Sequence, residues 1–530
     1  MSDSAPRLAR SAGVFGLATM ASRVLGLVRD QVLAYYFGAG DANDAFRVAF
    51  RVPNLVRDLF AEGAMSAAFI PTFTRCLTQE GKPRAWALAN SVINALALVT
   101  AVLVLLGVVF AEPLVRLYAA DFAAVPGKLE LTVFLARIML PFLTLVAVAA
   151  ACMGMLNSLG YFFIPALSPA MFNVATVVMA VALIPFAPRL GIDPIVIIAL
   201  STLVGGAGQL ALQWPPLARE GFRYRPRLDF ADKGLHRVLL LMGPGTFGLA
   251  ATQINVFVNT MLATGEGTGA VSWLDYAFRL MYLPIGLFGV SIATAATPAV
   301  ARLVATDDRP GVRRTVASSI GLMLALNVPS TLGLIVLGGP IIGLIFQHGS
   351  FGPEDTAATA AALQFYALGL VGYSIVRIVT PTFYALHRSR IPVAASAMAV
   401  VLNVVLNVTL VRVMGYRGLA LGTSITALVN AAVQLALLRR ELGGVEGAKI
   451  VASFARILAA ALPMAVTAWG VEQWLHTVLP GSGVAVQAVR VGLAIAAAIG
   501  VLTGAAHVFG VRELAEARAL VLGRLRRMRS

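Results

Sequence analysis

Fourteen apolar stretches recur along this chain, at 11–37, 44–75, 84–111, 129–157, 161–186, 194–218, 233–263, 270–302, 313–338, 356–386, 391–413, 418–439, 450–476 and 484–508. A helix needs about 20 residues to cross the hydrocarbon of a bilayer, and most of these stretches exceed that. In lipid only helices and closed barrels satisfy their own backbone groups, and the stretches are far too long for barrel strands. The expected fold is therefore an all-α polytopic membrane protein with fourteen transmembrane helices. Composition agrees. Charged residues make up 12% of the chain, against about 25% in a globular domain.

The connections between the stretches alternate in charge. One set is basic, with clusters such as Arg75, Lys82 and Arg84, the run from Arg219 to Arg237, Arg302 to Arg314, and Arg439 to Lys449. The other set, at 38–43, 264–269, 339–355 and 477–483, holds no Lys or Arg. Basic loops stay on the cytoplasmic side, which places both termini and a basic tail, 511–530, in the cytoplasm. The net charge of +16 is thus read as topology and attraction to anionic membrane lipids, and no nucleic-acid partner is expected. No cleaved signal peptide is expected at the N-terminus. The two cysteines, Cys76 and Cys152, and five scattered histidines form no disulfide framework, metal spacing or catalytic motif, so neither a cofactor nor an enzyme is expected.

The chain also repeats. The segment GVFGLA at 13–18 returns as GTFGLA at 245–250, and Ala45-Phe46-Arg47 returns as Ala277-Phe278-Arg279, both at an ungapped offset of 232 positions. A weaker echo joins Ile164-Pro165 to Ile391-Pro392. Six helices separate equivalent points, and an even number preserves orientation. The repeat is thus parallel, about an axis along the membrane normal, as in many secondary transporters. The organisation expected is an N-lobe over 1–228 (helices 1–6), a C-lobe over 229–445 (helices 7–12) and a C-terminal helix pair over 446–510, with a central cavity between the lobes.

Charges inside the apolar stretches are the candidates for function, because a charge in hydrocarbon costs a few kcal/mol unless it meets a partner or a watery cavity. Helices 1, 2 and 8 hold most of them: Arg23, Arg29 and Asp30, then Asp44, Arg57, Asp58 and Glu62, then Arg279. Guanidinium groups in a low-dielectric site suit a phosphate or diphosphate, which they grip by two parallel hydrogen bonds. The other reading is that each arginine merely pairs with a nearby carboxylate. Glu62 is either such a partner or a proton or cation site.

The segments SRVLGLVRD (22–30), FGAGDANDAF (37–46), PNLVRDLFAEGA (53–64), IPALSP (164–169) and VSWLDYAFRLMYLPIGLFG (271–289) together resemble the MurJ/MviN family of the multidrug/oligosaccharidyl-lipid/polysaccharide exporter superfamily. The resemblance implies a lipid II flippase of the bacterial cytoplasmic membrane, needed for cell-wall synthesis. It implies alternating access, with the undecaprenyl diphosphate disaccharide-pentapeptide head group in the cavity and the lipid tail in a groove along helices 13–14. Carried over by motif, Ser22, Arg23, Arg29, Asp30, Arg57 and Arg279 become substrate-binding candidates, with Asp44 and Glu62 as further ones. A monomer working beside the cell-wall synthesis machinery is expected. The sequence departs from the family in two places. Acidic positions beside Arg279 are here Phe278 and Tyr282. A sodium site that some members carry would fall on Asn259, Asn403, Asn407 and Thr423, where neutral amides stand in for carboxylates and bind a hard cation weakly; the coupling ion is left open. The alternatives are an exporter of another polyprenyl-linked oligosaccharide or of a drug, and, more remotely, a membrane enzyme acting on lipid diphosphates.

Overall fold

The computed structural model describes residues 4–58, 65–226, 229–481, 483–511 and 513; Glu62 and almost all of the basic tail lie outside them. Among the described residues there is no β-strand, and each apolar stretch is mostly helical. Among the described residues ten helical runs are long and apolar enough to cross a membrane. The remaining four stretches, which include those bearing the interior charges on helices 1, 2 and 8, are helical over their described residues without being among those ten.

The chain divides into two compact units, Met1–Ser272 and Trp273–Ser530. The first contains α1 (Ser4–Phe37), α2 (Asp41–Arg57), α3 (Met65–Gln79), α4 (Lys82–Val109), α5 (Ala111–Ala119), α6 (Lys128–Met139), α7 (Phe142–Ser158), α8 (Phe163–Leu167), α9 (Ala170–Leu183), α10 (Ala187–Leu190), α11 (Pro194–Arg219) and α12 (Lys233–Thr264). The second contains most of α13 (Ala270–Pro284), then α14 (Val290–Ala305), α15 (Arg309–Phe346), α16 (Pro353–Leu368), α17 (Leu370–Ala385), α18 (Arg390–Met414), α19 (Tyr416–Leu442), α20 (Gly447–Val478) and α21 (Val484–Val508).

The seventh long helix, α12, groups with the first unit because it is fastened there at both ends. At its start Asp232 caps the helix, accepting from the Gly234 amide at 2.7 Å, and takes a two-pronged grip from Arg84 of α4 at 2.7 and 2.8 Å. That guanidinium holds the Asp232 carboxyl below the usual carboxylate range. Near its other end Phe257 meets Tyr118 of α5 edge-on at 4.7 Å. The chain between α11 and α12 is also tied to α4: Asn90 donates to the Arg223 carbonyl and accepts from the Arg225 amide, and Asn94 donates to the Arg225 carbonyl.

Four stretches that read as continuous helices are broken: 161–186 at Ser168-Pro169, between α8 and α9, and three others each for a local reason. The stretch 129–157 is split at Leu140-Pro141, where proline offers no amide to the preceding turn. The stretch 356–386 is split at Gly369. A side chain there would come within 2.8 Å of Ser424 Oγ, so glycine is what lets α17 approach α19. The stretch 270–302 passes through a π-turn at Ile285–Gly289 just after Pro284. The connection after 111, which the sequence left without structure, forms α5 and a short 3-10 turn, Ala120–Ala124.

Each unit has its own apolar core. In the first, Phe69 and Phe73 of α3 pack with Trp86 of α4, Met155 of α7 and Phe222. In the second, Ile320 and Met323 of α15, Phe383 of α17, Leu438 of α19 and Ile457 of α20 are fully or nearly fully buried. A buried leucine or phenylalanine side chain stabilises its environment by about 1.5–3 kcal/mol relative to water, and in lipid the same contacts act through close packing.

Candidate functional site

In the first unit the interior charges of α1 and α2 are arranged as arginine–carboxylate neighbours. Arg29 donates from Nη2 and Nε to Asp30 Oδ1 at 2.9 and 3.2 Å, and its guanidinium lies over the Phe172 ring at 5.2 Å. The Arg29 side chain is 12% exposed and that of Asp30 2%. Arg57 repeats the pattern, donating to Asp58 Oδ1 at 2.8 and 3.1 Å, and Asp58 also accepts from Asn54 and from Gln253 of α12. Ser22 is held through its carbonyl, which accepts from Asn173 of α9 at 3.2 Å. Arg23, next to it, is exposed.

Asp44 is placed differently. It is fully buried, and its two oxygens accept from Lys128 Nζ at 3.2 Å, the Gly269 amide at 2.7 Å, the Ser272 amide at 3.1 Å and the Ser272 hydroxyl at 2.7 Å. Lys128, itself 3% exposed, also pairs with Asp41 at 2.7 Å and sits over the Phe122 ring. This carboxylate spends its acceptors on the protein and acts as an anchor for α2, α6 and the end of the α12 connection. The sequence could not show this, because Lys128 is 84 positions away at the edge of an apolar stretch. Glu62 lies outside the described residues.

In the second unit Arg279 of α13 donates from Nε to Asp275 Oδ2, one turn back, at 3.0 Å, and its side chain is 41% exposed. Four residues of α13 share this face: Asp275, Phe278, Arg279 and Tyr282, at the i, i+3, i+4, i+7 spacing of one helical stripe. A second arginine, which the sequence analysis did not single out, meets the stripe. Arg377 of α17 donates to the Tyr282 hydroxyl at 2.7 Å, and its guanidinium lies 5.5 Å from the centre of that ring. The signal for it was present: a single charge inside the apolar stretch 356–386.

The sodium-site positions divide between the units. Asn259 belongs to the first. In the second, Asn407 donates to Asn403 Oδ1 at 2.9 Å, and Asn403 donates to Thr423 at 3.4 Å, all three being buried. Among the described residues no three His, Cys, Asp or Glu side chains group as a metal site.

Chemically, Arg29, Arg57 and Arg279 share one design. Each arrives with a carboxylate on its own helix that fixes the guanidinium and limits the cost of keeping it in a low-dielectric setting. A guanidinium presents its N–H donors as a planar fork, a geometry that suits a multiply charged oxyanion such as a phosphate.

The chain is similar to proteins of known function along most of its length. A family model described as lipid II flippase MurJ matches residues 33–488. The lipid II flippase MurJ of Burkholderia cenocepacia is 33% identical over 426 residues, covering 80% of this chain and 82% of that one. A solved structure of lipid II flippase MurJ in an inward closed conformation resembles this chain with a TM-score of 0.76 at 26% identity, covering 94% of this chain and 99% of that one. An inward-facing multidrug resistance MATE family transporter of the MOP superfamily has a TM-score of 0.66 at 16% identity, covering 82% and 99%; that likeness is one of fold alone.

Proposed function

We propose that this chain, which belongs to the lipid II flippase MurJ family, carries lipid II from the cytoplasmic to the periplasmic leaflet by alternating access. Lipid II is the undecaprenyl-diphosphate-linked precursor of peptidoglycan, so the work is transport and not bond chemistry. The observation that carries the reading is a design shared by Arg29, Arg57 and Arg279, each steadied by a carboxylate; a guanidinium fork fits a diphosphate and would reject a cationic drug. Ser22 and Arg23 flank the first of them. Asp30 acts through Arg29, and Asp44 through the fold.

The finer parts of the reading rest on the sequence. Loop charge supports a cytoplasmic-membrane protein with both termini in the cytoplasm. A monomer working beside the cell-wall synthesis machinery, with the lipid tail along α20 and α21, is part of the same proposal. No cofactor is invoked. The Asn403–Asn407–Thr423 cluster is taken as a poor sodium site, because its amide and hydroxyl groups already engage one another. A sodium-dependent rise in melting temperature that disappears in Asn407→Ala would refute this.

The test of the function is replacement of a bacterium's own lipid II flippase by this chain under conditional depletion. The intact chain should restore growth. Arg29→Ala and Arg57→Ala should abolish rescue at normal membrane levels, and the lysine variants, which keep charge but lose the fork, should rescue in part at best. Normal growth with the alanine variants would overturn the role given to these arginines.

A further inference from the structure

Helix α13 has two unlike faces. On one, Tyr276 and Ala277 are fully buried, and Tyr276 packs on Phe346 and Phe351 at 4.7 and 5.6 Å between ring centres. That face is core. On the other, Asp275, Phe278, Arg279 and Tyr282 are all only half-buried. This stripe is not a lipid-facing surface, because an aspartate and an arginine facing hydrocarbon would be expensive. Nor is it surplus core, because its aromatic rings are left partly open beside charged groups.

The rings form a connected platform. Phe278 and Tyr282 lie 5.4 Å apart at 34°, Phe278 meets Tyr366 edge-on at 5.4 Å, and Tyr282 meets Tyr373 at 6.5 Å. Arg377 fixes the far ring through its hydroxyl. On the side of Phe278 stands the Arg279–Asp275 pair. A ligand that matches this surface needs an apolar face to lie on the rings, hydroxyl or amide groups at its rim for Arg377 and Asp275, and a negative charge for Arg279. A pyranose ring joined to a diphosphate has all three: axial C–H groups on its flat face, polar groups around its edge and the phosphates at its anomeric carbon. A bare polyprenyl diphosphate has only the last.

We propose that Phe278 and Tyr282, with Arg377 as the positioning residue for Tyr282, form a sugar subsite that holds the diphosphate-proximal pyranose of the substrate next to Arg279. The inference rests on the flippase reading and adds to it a basis for selecting the glycosylated lipid over the unglycosylated carrier.

The experiment compares two ligands on the full-length protein in nanodiscs by native mass spectrometry: lipid II and undecaprenyl diphosphate, which lacks the sugars. The unsubstituted protein should bind lipid II more tightly. The double variant Phe278→Leu/Tyr282→Leu should lose about five- to tenfold in lipid II affinity, the range that one or two aromatic contacts supply, and keep its affinity for undecaprenyl diphosphate. Tyr282→Trp, which keeps a ring, should retain the preference for lipid II, and Arg377→Leu should weaken it. Equal loss of both ligands in the double variant, loss of neither, or an unsubstituted protein that binds both lipids equally would overturn the subsite. Failure of the unsubstituted protein to bind either lipid would instead sink the flippase reading, and the subsite with it.

Discussion

Helices α2 and α13 are the same motif read twice, and they have been put to different uses. The offset of 232 positions carries Asn43, Asp44, Phe46, Arg47 and Phe50 onto Asp275, Tyr276, Phe278, Arg279 and Tyr282. Local geometry is kept. In each helix the arginine donates from Nε to the residue one turn back, Arg47 to Asn43 at 3.1 Å and Arg279 to Asp275 at 3.0 Å. In each, two aromatic rings pair along the same stripe, Phe46 with Phe50 at 6.1 Å and Phe278 with Tyr282 at 5.4 Å. Burial is not kept. Arg47 and Phe46 are 8% and 6% exposed, whereas the Arg279 side chain is 41% exposed. The chemistry follows the burial: where the stripe is covered, a neutral asparagine holds the arginine, and where it is open a carboxylate does so. A repeated backbone motif therefore fixes which side chains share a face, and the surrounding packing decides whether that face stabilises the fold or is free to bind.

The largest expected effect tests the most contrasted position of the repeat. Asp44 and Tyr276 are both fully buried, one anchored by charge and hydrogen bonds, the other by rings. Asp44→Ala leaves Lys128 buried with only Asp41, and breaking a buried pair from one side costs about 3–5 kcal/mol. Tyr276→Ala opens a cavity against Phe346 and Phe351 for a similar loss, about 3–5 kcal/mol. The two should part in their rescue. Adding Lys128→Met to Asp44→Ala removes the stranded charge and should restore much of the melting temperature in detergent. No equivalent second change exists for Tyr276. A double variant no more stable than Asp44→Ala would mean that Asp44 is not anchored mainly by charge.

The comparison also shows what the sequence could and could not say. The apolar stretches are legible because a membrane leaves a helix no alternative, and each of them is helical over most of its described residues. The arginines were legible because charge in an apolar run demands an explanation. Their carboxylates were legible where they adjoin, as in Arg29-Asp30 and Arg57-Asp58. Partners distant in the chain were not. Lys128 for Asp44, Gln253 for Asp58 and Arg377 for Tyr282 come from other helices, and no local pattern encodes such pairings. The helix breaks at Pro141 and Gly369 were visible as residues, but whether a proline or glycine interrupts or merely bends a helix depends on the neighbour that it lets in, here Ser424 in the case of Gly369.

A smaller effect bears on the arginines themselves, and it divides stability from transport. Arg47→Met keeps most of the buried volume but takes a charged donor from Asn43, so it should cost about 1–2 kcal/mol. Arg279→Met removes a half-buried pair at i, i+4 spacing that water still reaches, worth about 0.5–1 kcal/mol, and its melting temperature should fall by less than that of Arg47→Met. Growth rescue should run the other way: Arg47→Met should support growth at a membrane level reduced only in line with its stability, and Arg279→Met should fail at full level. The inversion is the informative part, since a purely structural account of both arginines predicts that the less stable variant is also the less active. Melting and rescue falling together in both variants would erase the distinction between the covered stripe and the open one. A stable Arg47→Met variant that cannot rescue growth would extend the binding surface to α2, and the burial of Arg47 would then have to be relieved at some stage of the transport cycle.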